Sequence, residues 1–134
     1  MRDLLKSLIL AVPLALTGLS APAAALPPLG EQDYVTGRLM AARVADRIRR
    51  TCPDLSARLI YAYGEARALK RWAEGQGYPD DEIEAYLDDR AEKKRIYAMA
   101  EDYLTENGAV DEAGFCALGQ AEIAKKSYIG SFLY

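Results

Sequence analysis

Histidine is missing from this sequence altogether. Its absence removes the commonest general base near neutral pH and the commonest transition-metal ligand together. Cysteine is nearly as scarce, with Cys52 and Cys116 as the two examples. A thiolate metal set or a Cys-x-x-Cys redox pair therefore has no residues to build it. Ser56, Ser127 and Ser131 stand without a histidine or a motif-placed lysine to activate them as nucleophiles. A cationic surplus is missing as well: the chain has 17 basic against 20 acidic residues, whereas neutralising a phosphate backbone needs a clear basic excess. These gaps argue against a metal site, a cofactor and nucleic acid as a partner. No apolar run approaches the roughly 20 residues of a bilayer-spanning helix, so no membrane span is expected once the N-terminus is removed.

That N-terminus has a definite character. Arg2 and Lys6 are followed by an apolar stretch from Leu8 to Leu16, interrupted by Pro13, and then by small residues ending in Ala23-Ala24-Ala25. These are the three zones of a secretory signal peptide. Cleavage after Ala25 would make Leu26 the first residue, and cleavage after Ala23 is the neighbouring alternative. No cysteine lies near either site to carry a lipid anchor. The expected organisation is a signal peptide over 1–25 and a single helical domain over 26–134, periplasmic or secreted. Without Arg2, Lys6 and Asp3 that domain keeps 15 basic and 19 acidic residues, and it is large enough for one modest core.

Within the domain, residues 26–32 carry two prolines and Gly30 and read as an extended arm. Asp33 is placed to cap a first helix with Val35, Leu39, Ala42, Ala45 and Ile48 on its inner face. Cys52-Pro53 stops it. Asp54 or Ser56 can cap a second helix, whose stripe Leu55, Leu59, Ala62, Ala66, Leu69 and Ala73 is the most regular in the chain, so Leu59 is expected in the core. Gly75 and Gly77 end that helix. Pro79 with Asp80, Asp81 and Glu82 is a helix start, with Ile83, Tyr86 and Leu87 as its apolar side. Asp89 and Glu92 have capping-box spacing, so either a fourth helix begins there or one helix runs from 80 to 106. Ile96, Ala100, Tyr103 and Leu104 face inward in either case. Asp111 caps a last helix with Phe115, Leu118, Gly119 and Ile123 on one side. The expected fold is all-α, a small four- to five-helix bundle.

Two cysteines in a small exported domain have one possible pairing, and they are expected to form a disulfide between Cys52 and Cys116. Closing a loop of about 65 residues stabilises the fold by roughly 4 kcal/mol in the chain-entropy model. The acidic group Asp80, Asp81, Glu82, Glu84, Asp88 and Asp89 has no calcium-loop spacing, and nothing singles out an acid and a base of separated pKa among them. Nine tyrosines and one tryptophan suit either gap-filling between alanine-rich helices or a binding surface; gap-filling is the preferred reading for Tyr61, Tyr63, Trp72, Tyr86, Tyr97 and Tyr103. The terminal residues Tyr128, Ile129, Phe132, Leu133 and Tyr134, in the apolar tail 127–134, are the candidate interaction surface: they either fold over the bundle or face a partner.

The runs Cys52-Pro53-Asp54-Leu55-Ser56-Ala57-Arg58, Gly77-Tyr78 with Glu82-Ile83-Glu84-Ala85-Tyr86, Ala91-Glu92-Lys93, and Phe115 through Ala124 together resemble a family of small exported alphaproteobacterial proteins known as a domain of unknown function. The resemblance covers nearly all of the domain. It implies no catalytic residues, and it implies an accessory or assembly role beside a respiratory membrane complex, the proton-pumping NADH dehydrogenase. Pro79 departs from the serine or threonine cap of that pattern. The residues themselves favour a non-enzymatic exported protein that binds another protein. The alternatives are a periplasmic chaperone-like protein and a carboxylate-dependent cell-wall hydrolase.

Overall fold

Six helices follow one another along residues 24–134, the part of the chain that this computed structural model describes. The leader expected over 1–25 lies, apart from Ala24 and Ala25, outside the described residues. The helices are α1 (Asp33–Thr51), α2 (Leu59–Gln76), α3 (Asp80–Asp88), α4 (Arg90–Glu106), α5 (Glu112–Ala124) and the single turn α6 (Tyr128–Ser131). No strand occurs among the described residues. The arm is not simply extended: Leu29–Glu31 form a 3-10 turn that buries Leu29.

Local sequence chemistry sets most of the boundaries. Asp89 separates α3 from α4, and its carboxylate accepts from the backbone N–H groups of Ala91 and Glu92. Asp111 caps α5 by accepting from Gly114 N. Gly77, at φ 104°, takes the left-handed position that ends α2, and Tyr78 N then reaches back to Ala73 O. Asp33 begins α1 without capping it, since Gln32 holds the cap position and contributes no side-chain bond.

The hub is α1, which packs most extensively on α4 and then on α5 and α6. Val44, Ile48 and Cys52 from α1 and its exit meet Ala100 and Leu104 of α4, Phe115 and Leu118 of α5, and Ile129, Phe132 and Leu133 of the tail. The disulfide joins Cys52 to Cys116 inside this cluster, across 64 residues of sequence. A smaller cluster of Leu29, Val35, Ala73, Tyr78 and Ile83 closes the other end. Gly119 lets α5 lie directly on α1, because a Cβ there would run into Ile48 and Leu55.

The second helix departs from expectation. It starts at Leu59, and neither Asp54 nor Ser56 caps it. The reason lies at the far end of the chain. Ser56 and Tyr134 exchange both backbone hydrogen bonds, at 2.9 and 3.0 Å, and Arg58 N donates to Phe132 O at 2.8 Å, forming an antiparallel bridge between Ala57 and Leu133. The pairing occupies the Ser56 carbonyl and holds residues 56 and 57 extended, so the first helical bond, from Ala62 N, falls to Arg58 O. Leu55 leaves the helical stripe and is buried in the extended segment, while Leu59 is 66% exposed. The expected core position of Leu59 is therefore corrected. Ala73 alone of α2 is fully buried, and α2 touches α1 and α3 only sparsely.

Chemical denaturation separates these roles. Leu104→Ala is expected to cost about 2–5 kcal/mol as a buried core truncation, and Leu59→Ala to stay within about 0.5 kcal/mol; equal losses would contradict the placement of α2. Cys52→Ser is expected to remove about 4 kcal/mol, and a melting shift of only a degree or two would show the clamp to be unimportant.

Candidate functional site

Three places concentrate chemistry. The first is a carboxylate that the apolar stripe of α5 does not announce. Glu122 lies one turn beyond Leu118 and Gly119 on the inward face and is 1% exposed. Tyr103 Oη donates to its Oε1 at 2.6 Å, Lys125 Nζ pairs with the same oxygen at 2.7 Å, and Ser127 Oγ donates to Oε2. Burial opposes ionisation of this carboxyl, but the bonds from Lys125, Ser127 and Tyr103 outweigh it and hold the group below its ordinary range. Burial, followed by the bond to Glu122, pushes the Tyr103 phenol up to about 12. Ser127 also accepts from Gly130 N and so caps α6. Gly130 must lack a side chain, because a Cβ would collide with the Glu122 carbonyl. Three donors hold the carboxylate, which makes it a lock between α4, α5 and the tail.

The second place is the tail itself. Ile129, Phe132 and Leu133 are buried, Tyr128 is half-buried, and Tyr134 is exposed. Tyr128 belongs to an aromatic and ionic cluster that ties α2 to the body. Arg38 of α1 lies over the rings of Tyr34 and Tyr128, at 4.6 and 4.4 Å, and pairs with Glu65 of α2 at 2.7 Å. Tyr128 Oη donates to the same Glu65 oxygen at 2.8 Å. Burial and then this bond push the Tyr128 phenol up to about 12.

The third place is the outer face of α2. Leu59 at 66%, Ile60 at 91% and Tyr63 at 66% are exposed within five residues. Arg67 lies over the Tyr63 ring at 5.7 Å. Arg58, Arg67 and Arg71 form no ion pair among the described residues. Of the aromatics expected between helices, Trp72, Tyr86 and Tyr103 are half-buried, whereas Tyr61, Tyr63 and Tyr97 are exposed. Sequence periodicity puts Leu59 on the apolar side of α2, yet it carries no sign that Leu59 is left uncovered together with Ile60 and Tyr63.

Cys52, Asp54 and Cys116 come together in space, but the two sulfurs are bonded to each other and offer no thiolate to a metal. In the acidic segment Lys70 bridges Asp80 at 2.8 Å and Glu84 at 2.9 Å.

The Glu122 lock generates a pH signature. Its folded pKa lies below the ordinary value of 4.5, so its stabilisation is complete above that pH and is lost as pH falls through the folded value. Glu122→Gln is expected to cost about 1–3 kcal/mol at neutral pH and to flatten the acid limb of stability below about pH 4.5. Urea melts from pH 3 to 7 check this, and an unchanged acid slope would show that Glu122 is not ionised in place.

The family model described as Family of unknown function (DUF5333) matches residues 27–134. No curated protein and no solved structure matches the chain.

Proposed function

The chain belongs to the family of unknown function DUF5333, and on that premise we propose that it is an exported, non-enzymatic helical protein that works by binding another protein. The observation that carries this reading is the outer face of α2. Leu59, Ile60 and Tyr63 keep large apolar surfaces in water, and leaving such a cluster uncovered is unfavourable at about 25 cal/mol per Å². The flanking Arg58, Arg67 and Arg71 fit a partner that presents an apolar strip edged by carboxylates. Tyr134, paired through its backbone with Ser56, edges the same end of α2, so the terminal aromatic joins this surface while Ile129, Phe132 and Leu133 hold the tail in place.

Export is supported by the leader pattern and by the disulfide, which suits an oxidising compartment such as the periplasm. No helix among the described residues is long and apolar enough to cross a membrane. The partner class implied by the sequence resemblance is a subunit of a respiratory membrane complex. The absence of histidine and the tying of the buried Glu122 into structural bonds support a role without catalysis.

Ile60→Asp tests the surface. The side chain is almost wholly solvated, so the melting temperature is expected to stay within a degree or two, while recovery of a crosslinked membrane partner falls by about tenfold or more. An exposed control away from α2, Glu106→Gln, should retain the partner. Undiminished recovery with Ile60→Asp would overturn the docking face, and a broad spectrum of unfolded clients in place of one partner would point to a chaperone.

A further inference from the structure

Behind the docking face, α2 stands away from α4 and leaves an apolar groove over Leu39 of α1. Its inner part is a cavity of about 100 Å³ walled by Leu39, Ala66, Leu69, Tyr86 and Leu87. Its outer part, of about 190 Å³, shares Leu39, Tyr86 and Leu87 and runs on to Lys93, Ile96 and Tyr97. The inner slot is far too small for a helix, whose diameter with side chains is about 10 Å, but it suits a methylene chain.

Polar atoms around the groove are unsatisfied in one sense only. Among the described residues two buried side-chain polar atoms have no hydrogen-bond partner, Tyr86 Oη and Arg43 Nε. Tyr86 lines both parts of the groove. Arg43 lies over the ring of Tyr97, at 4.0 Å, behind the outer part of the groove, which Tyr97 lines and Arg43 does not. Of the two, only the Tyr86 hydroxyl belongs to a lining residue; it can donate and lacks an acceptor, which carries an uncompensated desolvation cost until one arrives.

Charge orients whatever enters. At the inner end Asp80 and Glu84 surround Lys70 and would repel an anion. At the outer end Lys93 forms no ion pair among the described residues, and the carboxylate there, Glu92, is held by Arg95 at 2.8 Å. We propose that this groove binds a fatty acid, with its acyl chain along Leu39, Leu69 and Leu87 and its carboxylate at the outer mouth beside Lys93. The site uses the inner side of α2 and is separate from the surface of Leu59, Ile60 and Tyr63.

Trp72, the single tryptophan, packs against the cluster at the inner end and reports occupancy. The purified disulfide-bonded protein is titrated with dodecanoate, dodecanol and dodecylamine below their micelle concentrations, read by Trp72 fluorescence and by calorimetry. Saturable one-to-one binding of dodecanoate is expected, about tenfold tighter than the alcohol or the amine. Lys93→Glu, an exposed change, should weaken dodecanoate by about tenfold without altering the alcohol, and Ala66→Phe, which fills the inner slot, should abolish binding of all three. Ile60→Asp should leave dodecanoate binding unchanged, which separates this site from the protein-docking face. Absence of saturable dodecanoate binding, or equal affinity for carboxylate, alcohol and amine, would overturn the proposal.

Discussion

The bond between Cys52 and Cys116 fixes the point on which the rest of the structure turns. Cys52 is the residue at which α1 ends, and it is wholly buried. Cys116 sits in the first half of α5, so the clamp sets α5 across the end of α1 where Gly119 permits close contact. Everything after α5 follows from that placement. Glu122, two turns on from Cys116, reaches Tyr103 of α4, and Ser127 and Gly130 fold the tail back against the end of α5. The tail then closes over Ile48 and Leu104 in the main core and finishes in register with Ser56 and Arg58. A small domain with modest core area gains most from such a constraint, because the loop it closes is long.

The same closure determines what is left outside. Pairing of residues 56–58 with the tail uses backbone groups that would have begun α2 earlier. The helix is therefore held at its two ends and by the Glu65 tether to Arg38 and Tyr128, with few contacts between. Its outward side carries Leu59, Ile60 and Tyr63, and its inward side leaves space over Leu39 that no side chain fills. Both proposed binding features thus arise from one cause: a helix that spans the bundle without being absorbed into it.

Much of this was legible from residue order. Asp89 and Asp111 act as caps because the groups they bond lie two or three residues away, and such signals survive in any fold. The disulfide was legible because two cysteines admit one pairing. The inward faces of α4 and α5 follow from three- and four-residue spacing. The start of α2 was not legible, since Asp54 and Ser56 satisfy the local rule for a cap and the competing strand-like pairing comes from more than seventy residues away. Glu122 was not legible for a similar reason: its place on the inward face is periodic, but its stabilising donors come from α4 and from beyond α5. Periodicity also reports that a helix has an apolar side without reporting whether anything covers it, which is why Leu59 was expected inside.

The central claim is that the clamped body of α1, α4, α5 and the tail is one cooperative unit and that α2 opens separately from it. Native-state hydrogen exchange on the disulfide-bonded protein measures this residue by residue. The account predicts that amides of residues 59–76 exchange through openings well below the free energy of global unfolding, while those of Val44, Ile48, Leu104 and Leu118 exchange only with it. Equal protection of α2 and α1, both released only at global unfolding, would contradict the account.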